Sequence, residues 1–292
     1  MVFLIRFDME EEIVMKKAVK LVVLLMCMTI FMCACGSDKK QTDTDKSEGT
    51  FDKKADSNED YFEWDGNLIV GITEEGMKQE SILIPARCEG FFDFRFSNTE
   101  IKHVAFEDDD DVDLENAFMG AKNVTSVELP AKLTKIPNSC FYGCDGLKSI
   151  TIPAEVTTIE KYAFSYCAAL ENVTFEGQGV TVITENSFQF CKALKSIVIP
   201  ESVITIEESA FDSCEALESV TLNEGLKTIA GYAFHQTALT EVHFPEGIQF
   251  ESMQENAFGL NTYSMTVYIV KDSWCDMNQE AWNIGFKEIK YE

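Results

Sequence analysis

The sequence predicts an α/β solenoid, one array in which each repeat supplies a short parallel strand, then a turn and a short helix or 3₁₀ coil. Three observations lead there. Phenylalanine returns at Phe118, Phe141, Phe164, Phe188, Phe211, Phe234 and Phe258, at spacings of 23, 23, 24, 23, 23 and 24 residues. A second apolar position keeps the same phase, at Val124, Leu147, Leu170, Leu194, Leu217 and Leu239. Three residues later comes an alternating pair, as in Ile150/Ile152, Val173/Phe175, Ile197/Ile199 and Val220/Leu222. Alternation with a period of two marks a strand with one buried face.

The unit from Phe141 shows the logic of one repeat: FYGCDGLKSITIPAEVTTIEKYAF. Ile150 and Ile152 alternate with Ser149 and Thr151, and Pro153, which has no N–H to donate, ends the strand. Val156 and Ile159 follow three apart, before Ala163 and Phe164 open the next copy. A single unit cannot bury its apolar face, so each needs the copies above and below. One residue is gained near Gly177–Val180 and one is lost after Phe234; both slips fall between buried positions, where loops tolerate them. A period of 20–29 residues with apolar positions in fixed phase is the mark of a leucine-rich-repeat solenoid.

The pattern resembles the BspA-like leucine-rich repeats of bacterial surface proteins. These pair L-x-x-I-x-I-P with I-x-x-x-A-F-x-x-C, as in Leu147–Pro153 followed by Ile159, Ala163, Phe164 and Cys167. The resemblance spans residues 61–292. It implies a scaffold for recognition or adhesion at a cell surface and brings no catalytic residues with it.

Before the array the chain divides into a leader, residues 1–35, and a tether, residues 36–60. Glu10, Glu11 and Glu12 do not suit an export signal, which calls for positive charge, whereas Lys16, Lys17 and Lys20 do. We therefore place the start of translation at Met15 and a lipoprotein signal peptide at residues 15–34. Met32-Cys33-Ala34-Cys35-Gly36 looks like a lipobox, with methionine where leucine is usual, and makes Cys35 the expected lipidation site. A membrane span and an ordinary cleaved signal are the alternatives; the uncharged run of Leu21 to Ala34 is short against the roughly 20 residues a bilayer requires. The tether is polar and charged, unable to bury enough apolar surface to order itself. As a flexible chain it would span roughly 25–30 Å.

Within the folded part, residues 61–95 form an expected N-terminal cap, rich in aromatics (Tyr61, Phe62, Trp64) and hairpin-like. Repeats run over 96–258. Residues 259–292, with Trp274, Trp282, Phe286 and Ile289, form the closing cap. Both ends of a solenoid need such shielding.

The formal net charge is −26, from 24 basic and 50 acidic residues. That balance argues against nucleic acid and against direct binding to anionic lipid. A lipid anchor is then the expected membrane contact. Cys144, Cys167, Cys191 and Cys214 form a ladder, each three residues after a repeat phenylalanine, in a slot that Ala121 and Thr237 also fill. Buried thiols acting as small apolar groups explain this best. Disulfides between copies and soft-metal binding are the alternatives, although no C-x-x-C pair exists and the three histidines match no zinc spacing. Asp108, Asp109, Asp110 and Asp111 crowd one turn; a solvated acidic loop is the preferred reading, with calcium the weaker candidate because the spacing lacks an EF-hand pattern. No nucleophile elbow, zinc-protease motif or phosphate loop is present, no cofactor is implied, and no enzyme is expected.

The outward positions of the strands remain. They are Ser126, Glu128, Ser149, Thr151, Asn172, Thr174, Ser196, Ser219, Thr221, Glu241 and His243. A solvated ladder with β propensity accounts for them as they stand. The concave strand face is also the usual recognition surface of such solenoids. The expected function is therefore a membrane-anchored, extracytoplasmic recognition or adhesion scaffold. Its partner would be an extracellular or host protein or a glycan, bound through this face. A spacer of the cell envelope without a dedicated ligand is the alternative.

Overall fold

In the computed structural model of this chain, residues 59–92, 96–107, 110–115 and 117–292 are described. The leader with Cys35, the tether up to residue 58, and Asp108 and Asp109 lie outside the described residues.

The strand predicted in each repeat is present and stacks in parallel on its neighbours. Ser81–Ile84 pairs with His103–Phe106, which pairs with Ser126–Val127. Ser149–Ile152 pairs with Asn172–Phe175, and Ser196–Val198 with Ser219–Thr221. Glu241–Phe244, Thr266–Ile269 and Glu288–Tyr291 complete the series. Register follows the sequence period: Ser149 faces Asn172, and Thr151 faces Thr174. Ser81–Ile84, which falls inside the stretch assigned to the N-terminal cap, is already a rung of this ladder.

A second parallel ladder, not foreseen from the sequence, runs along another side. It consists of two-residue strands, among them Thr158–Ile159, Val182–Ile183, Thr205–Ile206 and Thr228–Ile229. Two residues are too few to show alternation, so the sequence read this stretch as turn and coil.

The third side carries the phenylalanines. The short helix or 3₁₀ coil expected there takes the form of consecutive turns, because two left-handed residues, four apart, interrupt the copies between Ser139 and Gln236. They are Ser139 and Gly143 (φ 56° and 70°), Tyr162 and Tyr166 (60° and 62°), Asn186 and Phe190 (57° and 61°), Ser209 and Ser213 (56° and 60°), then Tyr232 and Gln236 (58° and 53°). A right-handed helix cannot continue through such residues. Between copies the turns are stitched by backbone hydrogen bonds: Phe141 N–H donates to Ala163 C=O at 2.8 Å, Phe164 N–H to Ser187 C=O at 2.8 Å, and Phe188 N–H to Ala210 C=O at 2.9 Å. The backbone amides of all three sides thus find partners in neighbouring turns, as buried amides must.

The interior is one continuous apolar cluster extending from Phe62 to Phe286. Its spine is the row of rings. Phe96, Phe118, Phe141, Phe164, Phe188, Phe211, Phe234 and Phe258 lie 4.8–5.4 Å apart, centroid to centroid, with interplanar angles of 5–14°. Phe96 brings the irregular first copy into the row. At the far end Phe286 meets Phe258 edge-on, and the buried Trp282 donates through Nε1 to Cys275 C=O at 2.8 Å. At the near end the hairpin of Phe62–Asp65 and Leu68–Ile72 contributes Phe62 and Ile69 to the cluster, and Arg87 lies 3.6 Å over the Trp64 ring. The extra residue near Gly177 is accommodated by close backbone approach: a Cβ on Gly177 would fall 2.2 Å from Ala154 O.

Candidate recognition surfaces

The long-strand face is built by alternation. Inward, Ile150, Ile152, Ile197, Ile199, Val242 and Phe244 are buried. Val173 and Phe175 are half-buried but still pack on the core. Outward, Ser149, Thr151, Asn172, Thr174, Ser196, Ser219, Thr221, Glu241 and His243 are exposed, together with Glu128. Ser126 is half-buried, because its hydroxyl meets His103 Nδ1 at 2.7 Å. Parallel pairing aligns the hydroxyl-bearing positions turn by turn: Thr151 beside Thr174, Ser196 beside Ser219. Val198, 64% exposed beside Thr221, is the apolar member of the row.

At the C-terminal end this face gains a feature that the sequence reading missed. Tyr268 stands in register between His243 and Lys290. The His243 and Tyr268 rings are stacked at 4.4 Å and 3°, and Lys290 Nζ lies 5.6 Å from the Tyr268 ring. His243 Nδ1 is 2.9 Å from Glu292 Oε2. The alignment of Tyr268 with His243 passes through the irregular 3₁₀ stretch Gly259–Ser264, which conceals the phase.

The cysteine ladder lies inside. Cys144, Cys167, Cys191 and Cys214 are free and buried, and each thiol donates to the carbonyl of a repeat phenylalanine, at 3.0, 3.1, 3.2 and 3.2 Å. Burial pushes the Cys167 and Cys214 thiols well above the ordinary thiol range. These thiols therefore act as small apolar groups carrying a weak donor.

The described members of the acidic turn are engaged within the protein. Asp110 pairs with Lys132, and Asp111 accepts from Thr134 N–H at 3.1 Å and from Thr134 Oγ1 at 2.9 Å. Among the described residues, no three of His, Cys, Asp and Glu converge in a geometry that would hold a metal ion. The histidines stay separate. His103 meets Ser126, and His235 Nδ1 lies 2.8 Å from Asp212, which also accepts from Gln189 and Ser213.

The turn face holds a second concavity. A cleft of about 470 Å³ is lined by Gly120, Gly143, Tyr142, Tyr166, Lys122 and Asp145, with Ser97 and Met119 at its margin. The sequence reading singled out none of these residues. Tyr142 and Tyr166 occupy slots that vary from copy to copy, so periodicity does not reveal them.

Comparison with known proteins agrees with this geometry. A profile describing the BspA type leucine rich repeat region matches in 6 copies, over residues 75–194, 114–223 and 181–281. A leucine-rich repeat protein from Bacteroides ovatus is 21% identical with a TM-score of 0.52, over 77% of this chain and 64% of that one. Another from Eubacterium ventriosum is 21% identical with a TM-score of 0.47, over 62% of this chain and 58% of that one. A leucine rich cell surface protein from Faecalibacterium prausnitzii is 20% identical with a TM-score of 0.32, over 77% and 83%. The chain spans less than two thirds of the length of the first two. At this identity the Bacteroides protein speaks to fold alone. No curated protein matches the sequence.

Proposed function

Because the chain belongs to the BspA-type leucine-rich-repeat family, we propose that it is an extracytoplasmic recognition or adhesion scaffold, held at a membrane surface by a lipid on Cys35. It binds an extracellular or host protein or a glycan through the long-strand face. One observation carries this reading: a row of exposed, mostly small polar side chains, in register within the paired strands Ser149–Ile152 with Asn172–Phe175 and Ser196–Val198 with Ser219–Thr221, beyond which stands the His243–Tyr268–Lys290 cluster. Small side chains leave the strands open to a partner's backbone or hydroxyls. The stacked rings supply the aromatic anchor that recognition surfaces concentrate at their hot spots. A net charge of −26 directs the face toward neutral or basic partners rather than nucleic acid.

Two experiments test the reading. The folded chain is screened by thermal shift against extracellular matrix proteins and glycans. A binder raises its melting temperature with one of them, since a ligand of the native state stabilises it by mass action; a spacer module shows no shift with any. For the anchor, Cys35→Ala abolishes lipid labelling and releases the protein into the medium. Labelling that survives the substitution removes the lipoprotein reading.

A further inference from the structure

The turn face presents chemistry that the packing of the solenoid does not require. In the copies from Phe96 to Phe234 the position two residues after the repeat phenylalanine is left-handed. Glycine sits there without strain in two successive turns, as Gly120 (φ 72°) and Gly143 (φ 70°). In the next two turns the slot holds Tyr166 (φ 62°) and Phe190 (φ 61°). A bulky aromatic there is a steric outlier, and the turn does not call for one, because glycine, serine and glutamine hold the same conformation in other copies. Burial does not repay it at Tyr166, which is 41% exposed.

The change from glycine to aromatic creates the cleft. Gly120 and Gly143 form a floor without Cβ atoms; a Cβ on Gly120 would meet nothing within 4 Å, and one on Gly143 would reach only Gly120 Cα, at 4.0 Å. Tyr166 rises beside this floor with one face supported on Phe190 at 4.4 Å and 23°. Tyr142 stands 5.3 Å from Tyr166 at 51°, so the two tyrosines are splayed rather than stacked. Opposite charges complete the lining: Lys122 Nζ lies 3.6 Å from Asp145 Oδ2, and both side chains are solvent-accessible.

We infer that this cleft is a binding site for an uncharged oligosaccharide, separate from the long-strand face, with Tyr142 and Tyr166 receiving the C–H face of a pyranose ring and Lys122 and Asp145 its hydroxyls. A sugar ring is amphipathic in the required way, with a flat C–H face and a rim of donors and acceptors. A largely apolar, aromatic cleft with a few polar groups is the usual form of a small-ligand site. The cleft's charges sum to zero on a chain of net charge −26, which favours a neutral ligand over an anionic one. The volume of about 470 Å³ accommodates one or two sugar rings.

The test uses the full chain on an array of neutral oligosaccharides built from hexose and N-acetylhexosamine, followed by titration of any that is retained. Tyr166→Gly weakens that binding at least tenfold, while the melting temperature stays within about 3 °C of the parent or rises, because glycine adopts the local backbone freely. A ring with a merely structural role gives the opposite pattern, a lower melting temperature and unchanged binding, and that result overturns the proposal. Asp145→Ala weakens binding without altering the fold. Thr151→Arg, on the long-strand face, leaves the sugar bound, so this site and the proposed strand-face site fail independently. Retention of no oligosaccharide also refutes the inference.

Discussion

Replacing Phe188 with alanine should break the spine at its centre. The ring is fully buried and lies between Phe164 at 5.2 Å and Phe211 at 5.4 Å, nearly parallel to both. Truncating a buried phenylalanine costs about 3–5 kcal/mol through lost transfer energy and the cavity that remains. Two ring contacts, at about 0.5–1.5 kcal/mol each, vanish together, which places this site in the upper half of that range. The Phe188 N–H still reaches Ala210 C=O, so the backbone stitch is not directly removed and the loss is one of packing. Chemical denaturation of the parent and Phe188→Ala supplies the magnitude, and hydrogen exchange its reach. In a nearest-neighbour array the damage spreads, so the amides of Phe164 and Phe211 should lose protection together. The control is Thr151→Ala on the exposed strand face, expected to change stability by no more than about 0.5 kcal/mol. A Phe188→Ala variant as mild as this control would refute the idea of a shared, stacked interior.

Three further predictions concern the turns, the thiols and the closing cap. Gly143→Ala should cost about 1 kcal/mol from backbone strain alone, whereas Gly177→Ala, whose Cβ would meet Ala154 O at 2.2 Å, should cost more; the reverse order in denaturation midpoints would count against the turn geometry. The seven cysteines from Cys88 to Cys275 are buried, with Cys88 pushed up to about 11 and Cys275 to about 12 by burial, so at pH 8 iodoacetamide should modify them only in denaturant; mass spectrometry of the native protein detects any exception. The Asp276 carboxyl is held below its usual range by the Asp272 N–H and the Tyr291 hydroxyl, so its contribution to stability is present above the ordinary carboxylate range and is lost as pH falls through its lowered value. Tryptophan fluorescence during acid titration should therefore show Asp276→Asn to be less sensitive to this acid step, and identical profiles for the two proteins would remove Asp276 from the account.

What could be read from the sequence divides along physical lines. Stacked copies demand an apolar residue of similar shape at each buried position, so Phe141, Phe164, Phe188 and their equivalents announce the interior, and Ile150/Ile152 announce the strand. The second ladder stayed hidden because its strands, such as Thr158–Ile159, are two residues long, too short to show the alternation that marks a strand. The left-handed turns carry a residue-type signal where glycine fills the slot, at Gly120 and Gly143, although the sequence reading made no use of it. Where Tyr166 and Phe190 fill it, nothing in the residue type signals the conformation. Function is harder still, since a binding surface is the part of a repeat protein that is free to vary, and Tyr142 and Tyr268 each occur at one turn without a periodic echo.

The central claim, recognition through the long-strand face, is tested most directly by one comparison. Surface-coupled protein is presented to extracellular matrix components and glycans, and adhesion is measured for the parent, for Thr151→Arg, and for Thr158→Arg on the second ladder. Both positions are exposed, and both variants add the same bulk and charge. Adhesion lost with Thr151→Arg and retained with Thr158→Arg is the predicted result; equal adhesion by all three proteins would contradict it.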